Sequence, residues 1–141
     1  MWLCSTPVGA ITDALGIESA VLGGWMNGAY ADIASVNEVK LLICYPQNRS
    51  KAPEESHPDG ARAIGFYWDG VKRSFADTLD LFTEILGNYR PDVIHIFGTE
   101  HEYGAILAQV ACDLGLGSRI SIGNQEPLLP FAAKRRLRTP R

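Results

Sequence analysis

The sequence predicts an α/β fold in a single domain, with a doubly wound sheet of parallel strands. Short apolar runs bounded by turn residues alternate along the chain with segments of helical period, and that alternation is typical of parallel α/β sheets. The clearest run, residues 93–97 (VIHIF), follows Pro91-Asp92 and precedes a Gly-Thr-Glu-His segment. A short apolar run between two helical segments indicates a strand that is buried on both faces.

Five strands and three helices are predicted between residues 2 and 122. The strands cover residues 2–5, 40–45, 63–68, 93–97 and 119–122. The helices cover residues 25–36, 74–89 and 102–114. Residues 7–24 form a long connection, of the kind that is functional or carries a short helix of its own. Residues 46–62 are polar and proline-rich, which predicts a solvated loop.

The predicted order of the strands brings two distant loops together. In the usual order 3-2-1-4-5 the first and fourth strands are neighbours at the point where the winding reverses, and ligands bind there at the carboxyl ends of the strands. We therefore expect Gly23-Gly24, in the loop after the first strand, to face Thr99-Glu100-His101 across one crevice. No GxGxxG motif follows the first strand, which argues against a nicotinamide or flavin dinucleotide.

Composition indicates a soluble globular protein. Of the 141 residues 46% are hydrophobic and 21% are charged, which is ordinary for such proteins. No apolar run approaches the roughly 20 residues that span a bilayer, and no secretory signal is apparent at the N-terminus. The three cysteines are widely spaced in apolar segments, a pattern that favours buried reduced thiols over a disulfide or metal site and predicts a cytoplasmic protein.

The charge is unevenly distributed along the chain. Residues 124–141 hold five basic side chains against the single Glu126, a net charge of +4, so that residues 1–123 carry −7 of the total of −3. An acidic domain argues against nucleic-acid binding. The basic tail leaves a weak peripheral contact with anionic lipid open, although a short basic end is more often simply solvated.

Each candidate site residue has a structural alternative. Gly23-Gly24 could bind an anion at a helix start or form a plain tight turn. His95 lies inside a buried strand, where a satisfied core histidine is as reasonable as a functional one. Glu100 could merely stabilise the start of a helix through its favourable interaction with the helix dipole, and His101 could be an exposed imidazole without a role. The spacing of His95, Glu100 and His101 matches no known metal-ligand pattern, so no metal is predicted.

Four segments carry a resemblance to a known family. They are the opening WLCSTP, the GGW at residues 23–25, the run KLLICYP, and PDVIHIFGTEH with the helix behind it. Together they resemble the N-terminal, acceptor-side domain of a family 4 glycosyltransferase of GT-B architecture. The resemblance covers roughly residues 2–122, and the segment from Pro91 to His101 is its most specific part.

The resemblance implies a Rossmann-like domain and a reaction. A sugar would pass from a nucleotide-activated donor to a hydroxyl of a sugar or lipid-linked acceptor. The nucleotide-sugar would be a substrate, and no cofactor would be required. Gly23 and Gly24 would approach the donor diphosphate. The catalytic positions would be Thr99, Glu100 and His101. His95 and Gly98 would complete the substrate-binding set.

The chain departs from that family at its C-terminal end. The second Rossmann-like domain, which holds the nucleotide-sugar in such enzymes, is missing from the sequence. From residue 124 onward periodicity is lost and proline recurs, which predicts an irregular basic tail left by a truncation or a reading-frame change. The domain would then be residues 1–123, and the chain alone would be inactive. The alternative is a stand-alone flavodoxin-like binding or interaction module without catalysis.

Overall fold

The protein has a mixed α/β fold built on a six-stranded, mostly parallel sheet flanked by helices. The computed structural model describes residues 1–18, 24–70 and 72–123. The strands are β1 Trp2–Leu3, β2 Leu42–Gln47, β3 Glu54–Ser56, β4 Arg62–Tyr67, β5 Ile94–Phe97 and β6 Ile120–Gly123. The helices are α1 Gly9–Leu15, α2 Gly24–Ala34, α3 Lys72–Tyr89 and α4 Glu102–Asp113, with single 3₁₀ turns at Pro58–Gly60 and Gly117–Arg119.

The sheet has the order β3-β4-β2-β1-β5-β6. Every neighbouring pair is parallel except β3 and β4, which are antiparallel. The five parallel strands therefore lie in the order that the sequence predicts, with β1 between β2 and β5. Their carboxyl ends meet at one edge of the sheet, and the segments that follow β1, β4 and β5 all begin there.

One element differs from the prediction. The loop predicted over residues 46–62 contains the edge strand β3, and that part of the prediction is wrong. Its sequence, Glu-Glu-Ser, has no apolar alternation. It lies at the edge of the sheet and pairs on one side only, with Ala63–Gly65 of β4. A short charged edge strand of this kind discourages pairing with other chains. The connection after β1 contains the short helix α1, which ends at Gly16 in the left-handed conformation (φ 65°).

The sheet separates two apolar cores. Alternate residues of a strand point to opposite faces, so that Leu3, Cys44 and Ile96 pack under α3 and α4, whereas Trp2 and Ile43 pack under α1 and α2. The core under α3 and α4 includes Phe82, Leu86, Tyr103, Leu107 and Val110. The core under α1 and α2 includes Val8, Ile11, Met26 and Tyr30. Helices thus cover both faces of the sheet.

The thiols follow the prediction in two cases of three. Cys4 and Cys44 are buried and free, while Cys112 is exposed near the end of α4, so the expectation of a buried thiol is wrong there. Burial raises the pKa of Cys4, and it raises that of Cys44 to about 12, which keeps both thiols protonated and unreactive. Among the described helices, none is long and apolar enough to cross a membrane.

Candidate functional site: the carboxyl edge beside β5

The turn after β5 is built around Gly98. Its φ of 89° lies in the left-handed region that favours glycine, and its amide donates to the carbonyl of Gly123 at 2.8 Å, which closes the pairing with β6. The side chain of Glu100 folds back over this glycine, since a Cβ atom placed on Gly98 would collide with the Glu100 carboxylate. Gly98 therefore allows the carboxylate to lie directly against the end of the strand.

His101 begins α4 without capping it through its side chain. Its backbone is extended (φ −120°, ψ 140°), and its carbonyl accepts the first hydrogen bond of the helix from Gly104 at 3.1 Å. The imidazole instead stacks on the ring of Tyr103, with the centroids 5.0 Å apart and the planes 20° from parallel. Thr99, Glu100 and His101 are all exposed. The structure thus places the three predicted catalytic residues side by side at the carboxyl edge.

Tyr103 is a residue that sequence analysis missed. It is only 3% exposed, and its hydroxyl has no hydrogen-bond partner among the described residues. The rings of Phe66 and Trp68 enclose it, each with its centroid 5.4 Å away. Burial raises the pKa of Tyr103, and the nearby Glu100 and Cys4 raise it further. The phenol therefore lies against the end of β4, in the field of the Glu100 carboxylate.

The start of α2 reaches the same edge from the other face of the sheet. The ring of Trp25 lies 5.4 Å from that of Phe97, the last residue of β5, and Phe97 in turn packs edge-on against Trp2 at 5.1 Å. Trp25 thus contacts the last residue of β5, while Gly23 of the predicted glycine pair lies outside the described residues. The indole of Trp25 remains 53% exposed.

His95 lies within β5 and is half-buried, rather than standing at the carboxyl edge. It pairs with Trp2 and Ser121 in the sheet and contacts the ring of Phe97 at 4.1 Å. Its pKa is lowered, first by burial and then by the N-terminal ammonium group, which itself donates to the carbonyl of Val93 at 2.7 Å. The sheet separates this imidazole from the stacked pair of His101 and Tyr103.

The chemistry available at this edge is acid–base and hydrogen-bonding chemistry. A carboxylate, an imidazole and two hydroxyls lie within a few residues of one another, next to a helix start and an exposed indole. Within the described part of the chain no group of His, Cys, Asp or Glu side chains is arranged to hold a metal ion.

Comparison with known proteins adds no assignment to this geometry. No protein-family model matches the chain, and neither a curated protein nor a solved structure matches it.

Proposed function

We propose that residues 1–123 form a Rossmann-like, doubly wound domain that acts as the acceptor-side half of a GT-B glycosyltransferase. The support from the fold is that β1 is followed by α1 on one face of the sheet, whereas β5 is followed by α4 on the other. Because β1 and β5 are neighbours, the carboxyl edge between them is where open α/β sheets bind their ligands.

One observation supports the proposal most strongly, the contact between Trp25 and Phe97. It joins Trp25, at the start of α2, to Phe97, which lies just before the turn that carries Glu100 and His101. One side of the crevice would then offer the N–H groups of a helix start, which attract phosphate. The other side offers a carboxylate and an imidazole. A nucleotide-sugar and a hydroxyl acceptor need both kinds of group near the reacting carbon.

The proposed reaction assigns a role to each predicted residue. The bond between the sugar C1 and the donor diphosphate breaks through an oxocarbenium-like state, and a bond from C1 to the acceptor oxygen forms. His101 or Glu100 takes the proton of the acceptor hydroxyl, and Thr99 orients that hydroxyl. Gly24, together with Gly23 outside the described residues, gives the leaving diphosphate access to backbone N–H groups.

The remaining predicted residues support this arrangement indirectly. Gly98 allows the Glu100 carboxylate to lie against the strand, and a side chain at Gly98 would displace it. His95 packs behind Phe97 and supports the aromatic side of the crevice. The nucleotide itself would be held by a second Rossmann-like domain, so the activity of this chain requires such a partner domain.

The test is to supply the partner domain. Residues 1–123 are joined to the nucleotide-sugar-binding domain of a family 4 glycosyltransferase, and folding and donor binding of the chimera are verified first. We expect nucleoside diphosphate release that increases when an acceptor is added, with a glycosylated product detected by mass spectrometry. A chimera that folds and binds the donor but transfers no sugar to any acceptor would contradict the proposal. It would favour a flavodoxin-like binding module.

A further inference from the structure

The amino edge of the sheet, opposite the candidate site, contains an apolar groove. Its lining comes from the segments that lead into three neighbouring strands, β2, β1 and β5, and from the end of α3. The groove has a volume of about 480 Å³ and is lined by Val39, Tyr89 and Val93 together with the buried Met1 and Leu42. The length of the strands separates it from the carboxyl edge, so the proposed reaction does not use it.

Exposed apolar side chains are concentrated at this edge. Val39, Tyr89 and Val93 are between 40% and 58% exposed, and they are three of the seven large hydrophobic side chains that are exposed among the described residues. A fourth, Val36, belongs to the same turn as Val39, whose amide donates to the Val36 carbonyl at 3.0 Å. Single exposed apolar residues are normal on a protein surface, whereas a group of them marks an interaction site.

Charged side chains of both signs form the rim of the groove. Glu38 and Asp92 supply two carboxylates, while Lys40 and Arg90 supply an ammonium and a guanidinium group. All four residues are exposed, and none of them forms an ion pair within the described part of the chain. An apolar centre surrounded by a polar rim is the usual anatomy of a protein–protein interface.

The backbone at Arg90 favours glycine, yet the residue is an arginine. Its φ of 42° is the left-handed conformation in which the residue after a helix is usually glycine. The amide of Arg90 donates to the carbonyl of Leu86 at 3.0 Å, so the helix end needs nothing from the side chain. Arg119 fixes the segment, because its guanidinium donates to the carbonyls of Arg90 and Pro91 at 3.2 and 3.0 Å. The Arg90 side chain is therefore retained at a cost to the backbone, which is common at functional surfaces.

The charges of the rim favour a second copy of the chain over other occupants. Residues 1–123 carry a net charge of −7, so two copies repel each other over most of their surface. At the groove the carboxylates and the basic groups are equal in number, and a twofold axis allows the basic groups of each copy to face the carboxylates of the other. A rim without net charge offers no such gain to the basic residues 124–141 or to an acidic partner.

We propose that the amino edge is the interface of a twofold-symmetric dimer, with Val39, Tyr89 and Val93 at its centre and the charged side chains of the rim paired between the copies. The ring of Tyr89 is fixed before association, since the guanidinium of Arg62 lies over it at 4.7 Å. An aromatic side chain held in this way loses little conformational freedom on binding. The carboxyl edges of both copies stay open, so the dimer is independent of the proposed function.

Sedimentation of the full 141-residue chain over a range of concentrations tests the proposal. The exposed apolar area is modest, so we expect a dissociation constant of roughly 1–100 μM. Val93→Asp should raise it by about tenfold or more, because it places a charge at the centre of the interface. The matched control is Phe75→Asp, since Phe75 is an exposed apolar residue of α3 outside the groove. This variant should dimerise as the unmodified chain does.

A mixing experiment tests the pairing of the rim. One variant combines Lys40→Glu with Arg90→Glu, and the other combines Glu38→Lys with Asp92→Lys. Each variant alone should be monomeric, because all four charges of its rim have the same sign. An equimolar mixture should form a heterodimer, which native mass spectrometry identifies from the unequal masses of the two chains.

Arg90→Gly separates the interface from the fold. The glycine relieves the left-handed backbone, so the variant should unfold at a higher temperature when both chains are dilute and monomeric, although it dimerises more weakly. A chain that stays monomeric at about 300 μM would overturn the proposal, as would equal effects of Val93→Asp and Phe75→Asp. A dimer that only Ile122→Asp abolishes would also overturn it, because Ile122 is exposed in the edge strand β6 and the copies would then pair through that strand.

Discussion

The imidazole of His101 stacks on the phenol of Tyr103, with the ring centroids 5.0 Å apart and the planes 20° from parallel. An exposed candidate catalytic residue is thus positioned by a buried neighbour two residues farther along the chain. Tyr103 is in turn held by the rings of Phe66, in β4, and Trp68, which follows that strand. The orientation of the imidazole therefore depends on the core under α3 and α4 and not on a hydrogen bond of its own.

Replacement of Tyr103 by phenylalanine should leave stability unchanged or increase it. The variant keeps the ring and its three aromatic neighbours while it removes a buried hydroxyl that has no partner among the described residues. The cost of burying such a group is about 1–3 kcal/mol, and this is the upper limit of the expected gain. Urea unfolding followed by circular dichroism measures the change.

The matched control is Tyr30→Phe, because the hydroxyl of Tyr30 donates to the carbonyl of Pro58 at 2.8 Å in a buried setting. Its loss should destabilise the protein by roughly 0.5–1.5 kcal/mol. A similar loss for Tyr103→Phe would contradict this expectation, because it would show that the hydroxyl of Tyr103 has a partner in solution.

Replacement of Gly98 by alanine should destabilise the protein at least as much as the same change at Gly16. Both glycines have left-handed backbone conformations, at φ 89° and 65°, and each alanine costs about 1–2 kcal/mol for that reason alone. At Gly16 nothing lies within 4 Å of the new methyl group, whereas at Gly98 it meets the Glu100 carboxylate. Thermal unfolding of the two variants gives the difference.

The origin of that difference can be checked with a third protein. Addition of Glu100→Ala to the Gly98 variant should recover the extra loss, because the colliding carboxylate is gone. A clearly smaller loss for Gly98→Ala than for Gly16→Ala would contradict the left-handed backbone at Gly98.

Protonation of His95 should destabilise the fold. Burial and the N-terminal ammonium group lower its pKa in the folded state, so the unfolded chain binds this proton more readily. The neutral imidazole of His95 contributes fully to the free energy of unfolding above its ordinary pKa of about 6.5. This contribution is lost as the pH falls from there through the lowered pKa of the folded state. The variant His95→Gln should make the free energy of unfolding less dependent on pH in the range just below about 6.5.

The imidazole C–H resonance of His95 measures the same quantity directly. We expect its titration midpoint to lie below 6.5, the ordinary value. A midpoint at or above that value would mean that His95 is solvated or paired with an acid, and that it does not pack behind Phe97 as the structure has it.

The arrangement of the parallel strands was predictable because it depends on local patterns. Apolar runs between helical segments identify buried strands, and topology then places β1 beside β5. The same reasoning brings residues 98–101 to the carboxyl edge. The edge strand β3 escaped prediction because its three polar residues carry no hydrophobic period, and only its pairing with β4 makes it a strand.

The key residues of the candidate site were only partly predictable. Glu100 and His101 stand out because they follow a buried strand directly. Tyr103 falls on the apolar stripe of α4, where the spacing indicates a core residue, and the lack of a partner for its hydroxyl depends on the packing of β1, β4 and α4. The contact of Trp25 with Phe97 joins distant parts of the chain, so no local pattern could reveal it.

The most direct measurement of the central claim is the turnover of the two-domain chimera with His101 replaced by alanine. If the carboxyl edge is the reaction centre, His101→Ala should lower turnover by about 10²-fold or more, the scale of a positioned proton-transfer or electrostatic group. Glu100→Gln should act similarly. Because both side chains are exposed, the free energy of unfolding should change by no more than about 0.5 kcal/mol. Intact turnover together with reduced stability would contradict the claim, because it would assign these residues to the fold and not to the reaction.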